Sequence, residues 1–119
     1  MLINPSSLKK VLASAMIGLM SIYGFSQKNY DTLSVKTSAV CVMCKERIET
    51  ALAYEKGVKS ATLNVDDKIA TIVYNPVKTS PGQLRKVISK IGYDADSIPA
   101  DQKAYEKLPA CCKKDAPKH

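Results

Sequence analysis

From Leu33 to Ile98 the spacing of apolar residues switches from two to between three and four and back again, and then does so a second time. Residues 33–38 alternate, with Leu33 and Val35 on one side, as a half-buried strand requires. Cys44, Ile48, Ala51 and Leu52 then fall on one face of a helix, and Gly57 stands where it should stop. Alternation returns from Val58 to Val65, with Ala61, Leu63 and Val65 on one side. It resumes from Lys68 to Tyr74, with Ala70, Ile72 and Tyr74 inward. Asp66-Asp67 between them makes a hairpin turn, and Asn75-Pro76 ends the pair. Ser80 can cap a second helix, Pro81 suits its first position, and Gln83 completes a Ser-x-x-Gln capping box. Leu84, Val87, Ile88 and Ile91 form its apolar face, Gly92 stops it, and Tyr93 to Ile98 reads as a last strand. The order β-α-β-β-α-β predicts an α+β, ferredoxin-like fold. Right-handed crossovers would lay both helices on one face of a four-stranded antiparallel sheet and leave the other face to water.

The 119 residues allow one small domain. We divide the chain into a leader at 1–26, a folded domain at 32–98 and a tail at 99–119. In the leader, Lys9 and Lys10 precede an apolar run from Val11 to Phe25. Gly24 and Ser26 then place small residues before Gln27, and no acidic residue occurs before Asp31. This is the pattern of a cleaved secretory signal peptide, implying a periplasmic or secreted protein. The competing reading is a retained membrane anchor, for which a run of about 15 residues is short of the ~20 that span a bilayer. Membrane association is expected only through an uncleaved leader. Cleavage would lower the net charge of +7 by two, leaving a basic, solvated surface. Aromatic residues are not interleaved with the cations, which argues against a nucleic-acid partner. In the tail, Asp101 to Leu108 has room for two helical turns, ended by Pro109, before Ala110, Cys111, Cys112 and a lysine-rich end.

With no Trp and one His, a histidine triad or a three-histidine metal site is excluded, and chemistry falls to the four cysteines. Cys41-Val42-Met43-Cys44 lies where a strand gives way to a helix, so both sulfurs can point at one spot. Helix-terminal N–H groups favour thiolate over thiol, and Lys45 and Arg47 follow closely. Thiolates select soft ions such as Cu(I), Hg(II), Cd(II) and Zn(II). Two suffice for Cu(I) or Hg(II), whereas a closed zinc site wants four ligands. Met43 could donate its thioether or face solvent.

The placement of Cys41 and Cys44 after the first strand resembles the heavy-metal-associated domain family. That family includes small copper chaperones, the periplasmic mercury-binding protein and the N-terminal modules of metal-pumping ATPases. Gly57-Val58, the run Ala70 to Pro76 and Ile91-Gly92-Tyr93 carry the same resemblance. It implies a domain that is not an enzyme. It would hold one soft ion on Cys41 and Cys44, pass it on by thiolate exchange, and work as a monomer with a metal-transporting membrane protein or another metal carrier as partner. Where the family usually carries Gly-Met-Thr, this chain has Ser38-Ala39-Val40. Tyr93 should lie beside the loop, shaping the site from behind or simply filling the core.

Cys111 and Cys112 are open to three readings: further metal ligands, disulfide partners of another cysteine, or a free solvated pair. Adjacent cysteines seldom bond to each other, since their Cα atoms are held ~3.8 Å apart. A last strand would carry the chain ~20 Å from the loop, and the tail is just long enough to return. As a solvated segment it would contribute little to the core. His119, at the end, is a further possible donor. The main rival to a metal carrier is a thiol-disulfide oxidoreductase on the same C-x-x-C, and a third reading is a disulfide-stapled interaction domain.

Overall fold

The computed structural model describes residues 29–114; the leader and His119 lie outside them. The elements in order are β1 (Asp31–Lys36), α1 (Val42–Ala53), β2 (Val58–Asn64), β3 (Ile69–Tyr74), α2 (Pro81–Lys90), α3 (Gln102–Glu106) and a 3-10 turn (Ala110–Cys112). The sheet is antiparallel in the order β1-β3-β2. Leu33 pairs with Ile72 and Val35 with Ala70 on one side, and Leu63 pairs with Ala70 on the other. These pairs put the inward residues of all three strands on one face. Cys44, Ile48 and Leu52 of α1 and Leu84 and Ile88 of α2 cover that face. Among the described residues no helix is long and apolar enough to cross a membrane.

Local chemistry explains both helix starts. Ser80 Oγ accepts from the Gln83 N–H at 3.2 Å, and Pro81 occupies the first helical position. Only half of the expected capping box forms, because the Gln83 amide donates to Glu55 at 3.4 Å instead. In α1 the capping position belongs to Cys41, whose backbone is extended (φ −155, ψ 175). The hairpin turn runs through Lys68, which carries the positive φ of 64. Asn64 and Asp67 side chains bond its backbone, accepting from Asp66 N–H and Ile69 N–H.

The expected fourth strand is reduced to isolated bridges, Thr37 with Ala95 and Ala95 with Ile98. Tyr93 and Ala95 do point inward and are fully buried, as alternation requires. The chain then reverses at Asp96, which is left-handed (φ 52). The Asp96 carboxylate accepts from Lys36 N–H and Arg85 Nε, each at 2.9 Å. Asp94 Oδ1 accepts from Ala100 N–H at 2.8 Å. Carboxylates that bond backbone a few residues away, or across the sheet end, favour turns over ladders.

The tail is therefore not carried away from the loop. Asp101 N–H donates to the Ser89 carbonyl at 2.9 Å, which seats the tail on the end of α2. Asp101 caps α3 by accepting from Ala104 N–H at 3.0 Å. Leu108 and Cys112 are 5% and 1% exposed, so the tail belongs to the core, contrary to the expectation of a solvated segment. Of the apolar residues assigned inward, Leu33, Ala51, Ala61, Val65, Val87 and Ile91 are only half-buried.

Candidate metal centre

Cys41 stands at the mouth of α1 and Cys44 one turn in. This spacing places both side chains on the same end of the helix. Their Sγ atoms are 3.4 Å apart. Cys44 is buried in the core and Cys41 is half-exposed. The tail brings two more sulfurs to the same place. Cys112 Sγ is 3.9 Å from Cys41 Sγ, and the sulfurs of Cys41, Cys111 and Cys112 all lie within 4.8 Å of one another. Cys111 also meets Met43 at 3.8 Å from Sγ to Sδ. All four cysteines are free thiols. Five sulfur atoms from two distant segments thus converge on one end of α1.

The electrostatics divide these sulfurs. Burial opposes ionisation of Cys41. The amides of Cys44 and Met43, together with the Cys44 and Cys112 thiols, outweigh it and hold Cys41 below the ordinary thiol range. No side-chain hydrogen bond caps α1, so those helix-end N–H groups remain available to a thiolate. Cys112 is pushed up to about 12, first by burial and then by the neighbouring sulfurs of Cys44 and Cys41, against a lowering contact with Tyr93. At neutral pH it remains a thiol until a cation displaces its proton. Lys45 does not assist the sulfurs: its ammonium is committed to Glu49 and to the Leu63 carbonyl, which ties α1 to β2.

Tyr93 is fully buried. Its hydroxyl has no hydrogen-bond partner at bonding geometry. Burial, followed by Cys112 and Cys44, strongly raises its pKa, which places the ring's polar end next to those two sulfurs. The loop itself is held by residues that no local pattern flagged. Thr37 Oγ1 donates to the Lys68 carbonyl at 2.8 Å and accepts from Ala39 N–H at 3.2 Å. Ser38 Oγ accepts from Asp94 N–H at 2.9 Å. Ala39 is buried with no exposed surface.

Residues 35–94 match the sequence pattern of the heavy-metal-associated domain. The chain is 51% identical over 55 residues to a copper-exporting P-type ATPase of Staphylococcus saprophyticus, a match covering 46% of this chain and 7% of the relative. It is 40% identical over 63 residues to copper-transporting ATPase 1 of Rattus norvegicus, covering 53% of this chain and 4% of the relative. The matched segment is thus a small fraction of these curated relatives. Among solved structures, the CopZ metallochaperone superposes with a TM-score of 0.53 at 27% identity, covering 55% of this chain and 98% of that one. Oxidized MerP from Ralstonia metallidurans CH34 superposes at 0.55 with 20% identity, covering 57% and 96%, and so shares the fold. With half of its length matched and Cys41 and Cys44 at the start of α1, the chain belongs to the heavy-metal-associated domain family.

Proposed function

We propose that this protein is an exported carrier of one soft metal ion, held between the thiolates of Cys41 and Cys44 and handed on by thiolate exchange. The observation that carries this reading is the pair of sulfurs 3.4 Å apart at the mouth of α1, one buried and one half-exposed. The buried member anchors an ion and the exposed member offers it to an incoming ligand. Cu(I) is the first choice, in keeping with relatives named as copper-exporting and copper-transporting ATPases. Hg(II) satisfies the same two thiolates, and Zn(II) or Cd(II) would call for more ligands. The partner is a metal-transporting membrane protein or another carrier, and the protein itself performs no catalysis. Export rests on Lys9-Lys10 and the apolar run that follows.

Competition with a Cu(I)-specific chelator tests the site. Reduced protein is expected to take up one Cu(I), and Cys41→Ser with Cys44→Ser is expected to abolish tight uptake. Unchanged affinity in the double variant overturns the assignment. Efficient reduction of insulin disulfides by the metal-free protein would favour an oxidoreductase instead. N-terminal sequencing of the protein from cells tests export: a mature end near Gln27 is expected, and an intact Met1 on soluble cytoplasmic protein contradicts it.

A further inference from the structure

A two-cysteine carrier site needs nothing from the C-terminus, yet this chain spends the 14 residues from Pro99 to Cys112 bringing Cys111 and Cys112 back to it. The return is fastened at several points. Gly92 lets it approach closely, since a Cβ there would lie 3.0 Å from the Ala104 carbonyl oxygen. Leu108 is buried. Lys114 Nζ pairs with Asp94 Oδ2 at 2.7 Å, and Lys114 N–H donates to the Tyr105 hydroxyl at 2.9 Å. Asp94 is the residue whose N–H Ser38 receives, so the latch that closes the tail also holds the metal loop. The result is a buried thiol, Cys112, 3.9 Å from Cys41, with Cys111 and Met43 at the outer lip.

Building on the carrier reading above, we infer that the tail is a sulfur-bearing clasp. Cys112 supplies a third thiolate to the ion on Cys41 and Cys44, so the cargo is a soft ion in three-sulfur coordination that is handed on only as an acceptor displaces the clasp. The chemistry is ligand exchange. On loading with Cu(I), each of the three thiols loses its proton to water as its Cu–S bond forms. On transfer, each bond broken here is replaced by one to the acceptor's thiolate, and the sulfur left behind takes up a proton. The metal stays Cu(I) throughout. An acceptor must enter beside the ion before a Cys41 or Cys44 bond breaks, and the position it needs is held by a thiolate of the same chain. Being tethered, that thiolate has a high effective concentration and returns whenever it is displaced. Acceptance of a third sulfur also widens the cargo toward ions that want more than two.

The test uses the full chain loaded with Cu(I), with X-ray absorption counting sulfurs and bicinchoninate accepting the metal. Wild type is expected to show three sulfurs and slow transfer. Cys112→Ala is expected to show two, with transfer at least about tenfold faster, the lower end of what even outer-sphere partners of a metal are worth. Lys114→Ala removes the latch to Asp94 without touching a sulfur or the core, and is expected to speed transfer in the same direction. It therefore decides the matter even if Cys112→Ala folds poorly. Two sulfurs in wild type, or transfer unchanged by Lys114→Ala and Cys112→Ala, overturns the clasp while leaving the Cys41–Cys44 site intact. Absence of Cu(I) uptake by wild type overturns both.

Discussion

Tyr93 shows how single atoms are tuned around these sulfurs. Its ring fills the core, and its hydroxyl is buried beside Cys44 and Cys112 without a bond at hydrogen-bonding geometry. An unpaired buried hydroxyl costs about 1–3 kcal/mol. Tyr93→Phe is therefore expected to raise the melting temperature of the metal-free protein by about 4 °C or more. In the loaded protein the gain should shrink, because the hydroxyl can then donate to a metal-bound sulfur of Cys44 or Cys112. Calorimetry of both forms checks this; a fall in the metal-free melting temperature would show that the hydroxyl is paired after all. Cys41 was legible at this scale, since its spacing from Cys44 and its place before an amphipathic run are local. Tyr93 was legible in position but not in burial. The three-dimensional neighbours of its hydroxyl, Cys44 and Cys112, are distant in sequence.

Among the elements, α2 was the most readable because its signals are contiguous: cap, proline, apolar face and terminal glycine. Ser80→Ala should cost about 1 kcal/mol, the usual value of such a cap, measured as a lower urea midpoint with an unchanged slope. Gly92 carries more than its helix stop. Its φ is +107, and the Ala104 backbone packs where a side chain would be. Gly92→Ala should cost about 1–2 kcal/mol from backbone strain alone, and it should also lift the tail. Limited proteolysis would then cut between Pro99 and Pro109 faster than in wild type, whereas the Ser80 variant should not change that rate. Equal cleavage in all three proteins would show that Gly92 does not seat the tail. Residues 93–98 were misread as a full strand because alternation at Tyr93 and Ala95 is real. What it could not reveal is that Asp94 and Asp96 spend their carboxylates on turn amides and on Arg85.

For the molecule as a whole, three carboxylates join separate elements and all titrate below their usual range. Asp96 is held down by Arg85 and then by the Lys36 amide. Asp94 is partly buried, which opposes ionisation, but Lys114 and the Ala100 amide prevail. Glu49 is likewise opposed by burial and overcome by Lys45 and the Leu63 amide. A carboxylate with a depressed folded pKa adds stability that is fully present above its unfolded pKa of about 4 and is lost as pH falls through the folded value. Stability should therefore be flat near neutrality and fall on acidification below about pH 4. Asp96→Asn keeps a residue type that tolerates positive φ and removes the charge. It should cost about 1 kcal/mol at pH 7, since the pair is a third exposed, and flatten the acid limb. Urea midpoints at pH 7 and pH 3 measure both effects; an acid limb as steep as that of wild type would exclude Asp96 as a contributor.

The sequence by itself determined the order of the first five elements, the inward face of each, the two helix boundaries set by Ser80 and Gly92, and the C-x-x-C at the mouth of α1. Each of these depends on residues within a turn or two of one another, where periodicity and capping act. Only the tertiary structure decided that the last strand collapses to a bridge, that Ser38 and Asp94 lock the loop, and that Cys112 is buried 3.9 Å from Cys41. Those outcomes depend on pairs separated by dozens of residues. Chain length shows that the tail can reach the site, but whether it does is settled by the sum of small contacts, among them Leu108, Gly92 and the Lys114–Asp94 pair, that exist only once the core has formed.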